Sequence, residues 1–144
     1  MKKSLTYFSL LFAIVFLFIS CSKIGGADDG GDLNEIDQND DVFPVITTLR
    51  PVANQVYVSG DSIIVEGKVT DDKKLYKGKV QIKNDATASV VADNYYETHF
   101  LSAINFRLAY KTVVTSSTDF TVLIDFQDHG ANNVNQTIKV KVNP

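Results

Sequence analysis

From residue 62 the chain reads SIIVEGKV, with Ile63, Val65, Gly67 and Val69 at one parity and Ile64, Glu66 and Lys68 at the other. Successive side chains point to opposite faces in a β-strand, so this alternation describes a strand with one buried and one wet face. The period of two returns down the chain. KVQIK (79–83) sets Val80 and Ile82 inward, and INFRLAY (104–110) sets Ile104, Phe106, Leu108 and Tyr110 against Asn105, Arg107 and Ala109. DFTVLIDF (119–126) offers Phe120, Val122, Ile124 and Phe126, and TIKVKV (137–142) offers Ile138, Val140 and Val142 against Lys139 and Lys141. No segment sustains the 3.6-residue period of an amphipathic helix. Strands with one apolar face must bury it against another layer, here a second sheet.

PVITTL (44–49) and QVYV (55–58) add two shorter runs. Turn-forming clusters separate the runs: Arg50-Pro51 to Asn54, Ser59-Gly60-Asp61, Asp71-Asp72-Lys73-Lys74, and Asp128-His129-Gly130-Ala131-Asn132-Asn133. About seven strands over roughly 100 residues predict an all-β fold, an immunoglobulin-like antiparallel sandwich. With no tryptophan and one cysteine in the chain, its core is not of the antibody type, which packs Trp on a disulfide. Pro44 is placed to blunt the first edge strand, and the lysines of KGKVQIK and IKVKV to discourage edge pairing.

Ahead of this domain lie two unlike segments. Met1-Lys2-Lys3 and the ten-residue apolar run LLFAIVFLFI (10–19) have the positive start and short apolar core of a secretory signal peptide, residues 1–20. The run is short for a membrane span, which needs about 20 apolar residues, although an uncleaved anchor is the alternative reading. The single cysteine, Cys21, stands where that run ends. A lone cysteine forms no internal disulfide and is a buried thiol, a reactive thiol or a modification site. Residues 21–41 follow as a linker with four glycines, seven acidic residues and one lysine, a composition that predicts a disordered spacer. Twenty such residues span about 25 Å. The chain's acidity resides there, because residues 42–144 hold ten acidic against eleven basic side chains, a balance that points to no nucleic-acid surface.

Phe18-Ile19-Ser20-Cys21 resembles the lipobox of bacterial lipoproteins, with phenylalanine in place of the more usual leucine. The resemblance implies diacylglycerol on Cys21, cleavage before it, and a lipid-anchored protein of the outer membrane or cell surface. Two or more acyl chains anchor firmly where one does not. The acidic run after Cys21 resembles the surface-export signal of Bacteroidota lipoproteins, and a plain solvated spacer is the other reading. PVITTLRPVANQVYVSGDSIIVEGKVTDDKKL and FTVLIDFQDHGANNVNQTIKVKV are similar to the opening and closing strands of Ig-like and cadherin-like lipoprotein domains of Bacteroidota. Residues 85–103 fall outside that resemblance, which implies a fold more than a function.

Three sets of residues invite chemistry. In a sandwich of this kind Asp41, Asp71, Asp72 and Asp128, with Asp40 beside them, converge at one pole, where calcium would find the carboxylates it prefers. Cadherin-like domains place calcium similarly. Asp is also an ordinary turn former, and Lys73 and Lys74 offset the charge. A softer set, His99, His129 and Asp128, would suit a transition metal. The segment NDATASVVADNYYETHF (84–100) carries Tyr95, Tyr96 and His99, which either take up a glycan or protein ligand or pack under the sandwich edge. The two histidines are isolated in sequence and no phosphate-binding glycine loop occurs, so no enzyme is expected. The functional expectation is a non-catalytic binding or adhesion module on the cell envelope, without a cofactor unless calcium binds. The alternative is an accessory subunit of an outer-membrane complex with no ligand of its own.

Overall fold

The computed structural model describes residues 33–144, which belong to a compact unit, Asp32–Pro144. The expected signal peptide, Cys21 and the first half of the acidic linker lie outside the described residues. Eight strands follow in order: β1 Val45–Arg50, β2 Gln55–Val58, β3 Ser62–Thr70, β4 Leu75–Asn84, β5 Ser89–Glu97, β6 Ala103–Lys111, β7 Thr118–Asp128 and β8 Asn133–Asn143. They form a three-stranded sheet, β1-β3-β6, and a five-stranded sheet, β2-β8-β7-β4-β5. This is an immunoglobulin-like β-sandwich. No helix among the described residues is long and apolar enough to cross a membrane.

The alternation read from the sequence sets the core. Ile63, Val65 and Val69 of β3 face Phe120, Val122, Ile124 and Phe126 of β7 and Ile138, Val140 and Val142 of β8, all almost fully buried. Each such side chain contributes about 1.5–3 kcal/mol by leaving water. Phe106 of β6 and Phe126 of β7 meet across the sandwich at 5.8 Å between ring centroids. Gly78 pairs with Phe126 in the β4–β7 register, and a Cβ there would strike the Phe126 ring, so the absent side chain makes room for it.

Four features depart from expectation. The strand count is eight because residues 89–97, expected as part of a polar binding segment, form β5 and pair with β4. β2 runs parallel to β8, Gln55 opposite Val140, so the sandwich is not wholly antiparallel. The chain leaves β1 in one sheet, crosses through residues 51–54 and starts β2 in the other. The lysine-rich strands β4 and β8 are interior rather than edges. Their lysines lie over the outer face, where Lys139 meets Asp85 at 2.7 Å and Lys141 meets Asp119 at 3.3 Å. Finally, residues 33–41, expected as the end of a disordered linker, pack on the sandwich. Asp37 N donates to His129 O at 2.8 Å, and Tyr76 Oη donates to Asn34 Oδ1 at 2.9 Å.

Candidate functional site

One pole of the sandwich gathers the lead-in (33–44), the β3–β4 turn (71–74), the β5–β6 connection (98–102) and the β7–β8 turn (129–132). Backbone hydrogen bonds tie them: Asp71 N to Ser102 O, His129 N to Lys74 O, and Asp37 N to His129 O. Asp71, Asp72 and Asp128 stand here because each ends or follows a strand, and Asp40 comes from the lead-in; at such places a short carboxylate can accept from the amides of a turn. Asp71 Oδ2 accepts from Lys73 N at 3.0 Å, and Asp40 Oδ1 from Val42 N at 3.4 Å.

Of the expected calcium set, Asp71 and Asp72 do come together, and Asp40 joins them: one ligand oxygen from each lies within 4.8 Å of the others. Asp41 does not join: Asp40 turns inward and its neighbour Asp41 is left in solvent. Asp128, 1 % exposed, is occupied otherwise. Its two oxygens accept from Asn132 N at 2.8 Å and Asn132 Nδ2 at 2.9 Å, closing the β7–β8 turn. The same Asn132 amide donates to Asp40 O at 2.9 Å. A Cβ on Gly130 would sit 2.5 Å from Asp40 O, so the glycine lets Asp40 reach the turn.

Asp40 is 5 % and Asp71 9 % exposed, yet Asp40 Oδ2 and Asp71 Oδ1 have no hydrogen-bond partner. Burial pushes the Asp71 carboxyl above its ordinary range despite the Lys73 amide, and the charges of Asp128, Asp40 and Asp72 push it further. Lys73 does not fill the gap as a hydrogen-bond donor. Its ammonium donates to Asp37 Oδ2 at 3.1 Å and Asn39 O at 2.8 Å.

Beside the aspartates His99 and His129 are brought together, Nδ1 to Nε2 at 3.4 Å. His129 Nδ1 lies 2.9 Å from the Glu35 carbonyl and must donate to it. His99 Nε2 in turn lies 3.2 Å from Glu97. All four ring nitrogens are thus engaged. Tyr76 packs against both rings, at 4.9 and 5.1 Å between centroids. With Asp128 closing its own turn, the softer metal set is not assembled. His99 belongs to this polar cluster, which clasps residues 34–37.

Tyr95 and Tyr96 part company, as neighbours on a strand must. Tyr96 is half-buried, and its hydroxyl meets both Arg107 O and Arg107 N at 3.1 Å, latching β5 to β6 of the other sheet. Tyr96 thus packs under the sandwich edge, and it also lines the depression beside Tyr95. Tyr95 is 65 % exposed on the outer face, with Lys79 Nζ 5.9 Å from its ring centroid. It borders a shallow depression of about 310 Å³ shared with Lys77, Glu97, Asp125, Gln127 and Asn133. Asn133 Nδ2 donates to Asp125 Oδ1 at 2.8 Å.

Sequence reasoning missed Asn132, Gly130 and Tyr76. The spacing of Asp128 and Asn132 across a glycine-containing turn was the available signal for the first two.

The fold places this chain among two-sheet, immunoglobulin-like sandwiches. It is similar to the fibronectin(III)-like modules of Clostridium thermocellum CbhA, at 12% identity, over 68% of this chain and 94% of that one, with a TM-score of 0.43. No family model and no curated protein matches the chain.

Proposed function

We propose that the chain is a cell-envelope lipoprotein of Bacteroidota type, anchored through acylated Cys21, that presents a non-catalytic binding or adhesion module on the outer membrane or cell surface. The observation that carries the binding reading is the outer-face depression beside Tyr95. A solvent-exposed aromatic ring lies next to fixed amide and carboxylate groups of Gln127, Asn133, Asp125 and Glu97. A flat apolar ring flanked by polar groups suits a sugar, whose C–H face stacks while its hydroxyls hydrogen-bond. The non-catalytic reading draws support from His99 and His129, whose ring nitrogens are all committed to the polar cluster.

The test is glycan-array binding by the full chain. Tyr95→Ala should weaken it at least tenfold, whereas Tyr96→Phe, which leaves the outer face intact, should not. Equal binding by Tyr95→Ala and the unmodified chain would remove the depression as the site. In the same cells Cys21→Ser should move the protein from the membrane to the soluble fraction; retention in the membrane would refute lipid anchoring.

A second reading, the accessory subunit, is favoured by a different observation. Val45 and Leu49 of β1, Val52 of the crossing, and Val56 and Val58 of β2 are each more than half exposed. They line the two edge strands that the chain joins through residues 51–54. Co-purification of a stoichiometric envelope partner, lost on Leu49→Asp, would support this reading over the first.

A further inference from the structure

The lead-in closes over two buried carboxylate oxygens that nothing on the protein satisfies, Asp40 Oδ2 and Asp71 Oδ1. A buried carboxylate oxygen without a partner is costly, and native structures ordinarily supply a donor, a water or an ion. The surroundings argue for a cation. Asp37, Asp40, Asp71, Asp72 and Asp128 meet at this pole, with Lys73 and Lys74 the neighbouring lysines, and Lys73 already donates to Asp37 and Asn39. Lys74 directs its ammonium over the Phe100 ring at 5.2 Å.

Distance narrows the kind of ion. Two oxygens bound to one ion can be no farther apart than twice the ion–oxygen distance, about 4.6–5.2 Å for calcium and about 4.0–4.2 Å for magnesium. One oxygen from each of Asp40, Asp71 and Asp72 lies within 4.8 Å of the others. Oxygens inside that limit can share a calcium ion without displacement of the turns, and Asp72, which is exposed, leaves a side open for the waters that complete calcium's six to eight ligands.

We propose that Asp40, Asp71 and Asp72 hold a divalent cation of the calcium class, and that this ion fastens residues 33–41 to the sandwich. Asp40 comes from the lead-in and Asp71 and Asp72 from the β3–β4 turn, so the ion bridges two parts of the chain. Without it three carboxylates repel one another and oppose docking of the lead-in; with it they become the clamp. Whatever ligand the outer sheet face takes, this site is separate from it.

Calcium chloride titrated into the full chain should raise the melting temperature saturably over the chelated protein, and magnesium should raise it less. The backbone amide of Asp37, bonded to His129 O, should gain at least tenfold protection from hydrogen exchange. Asp40→Asn and Asp71→Asn should remove the calcium shift, and Asp71→Asn should melt above the unmodified chain in chelator because it relieves repulsion. A purely turn-forming Asp71 would give the opposite change. Asp72→Asn alters an exposed side chain and should keep the fold while weakening the shift, so it decides the matter if either buried variant does not fold. Superimposed melts with and without millimolar calcium would overturn the proposal. So would a shift that survives in Asp72→Asn and in whichever buried variants fold, since the ion would then sit elsewhere.

Discussion

At Asp85 a single carboxylate accepts from Thr121 Oγ1 on β7 at 2.6 Å and from Lys139 Nζ on β8 at 2.7 Å, while its backbone amide donates to Asp119 O. Partial burial raises this carboxyl, and the Lys139 and Thr121 hydrogen bonds, with the Lys139 charge, outweigh it, so the group is held below its ordinary value of 3.8. A depressed folded-state value means that the unfolded chain takes up the proton first. The contribution is present above about pH 4 and is lost as the pH falls through the folded value. Asp85→Asn keeps the Thr121 bond and loses the ion pair, which should cost about 0.5–1 kcal/mol at neutral pH. Urea unfolding of the two proteins should show that gap at pH 7 and a shrinking one as the pH is taken below about 4. A gap independent of pH would mean that the charge is not what matters.

Among the elements, β3, β7 and β8 were legible because their period of two is unbroken, and β5 was not, for a local reason. Ile82 pairs with Ala92 but Lys83 pairs with Val90, so Val91 is an extra residue in β5. That bulge puts neighbours Val91 and Ala92 both half inward and erases the alternation. The turn before β5 is equally hidden. Ala88 takes φ 56°, where glycine is usual, and the turn is held by Asn84 Oδ1 accepting from Ala86 N and Thr87 N. Four-residue β2 gave no clue that its partner would be parallel. Because β5 was not recognised, parity could not separate Tyr95 from Tyr96. The latch between sheets gives the distinction a measurable form. Tyr96→Phe should cost about 0.5–1.5 kcal/mol in chemical denaturation, and Tyr95→Phe close to nothing. Equal effects would contradict the assignment of one ring to each face.

For the whole molecule, order within the five-stranded sheet ranks local stability. β7 is paired on both sides, by β4 and β8, and its inward side chains are fully buried. Its amides should exchange slowest, those of edge strands β2 and β5 faster, and those of residues 33–41 fastest in chelator; a slow β5 with a fast β7 would contradict this order. At this scale the pole was legible in outline, since the end of β3, before Asp71 and Asp72, and the end of β7, at Asp128, fall at one pole of such a sandwich. Choosing Asp40 over Asp41 was not, because irregular backbone has no period to read. The docked lead-in also gives the protein an optical property. The chain has six tyrosines and no tryptophan, so its near-ultraviolet spectrum rests on phenol rings. Tyr76 packs against two imidazoles and donates to the lead-in through Asn34. Lifting residues 33–41 would free that phenol from a fixed asymmetric setting, and tyrosine circular dichroism would register the event without any attached label.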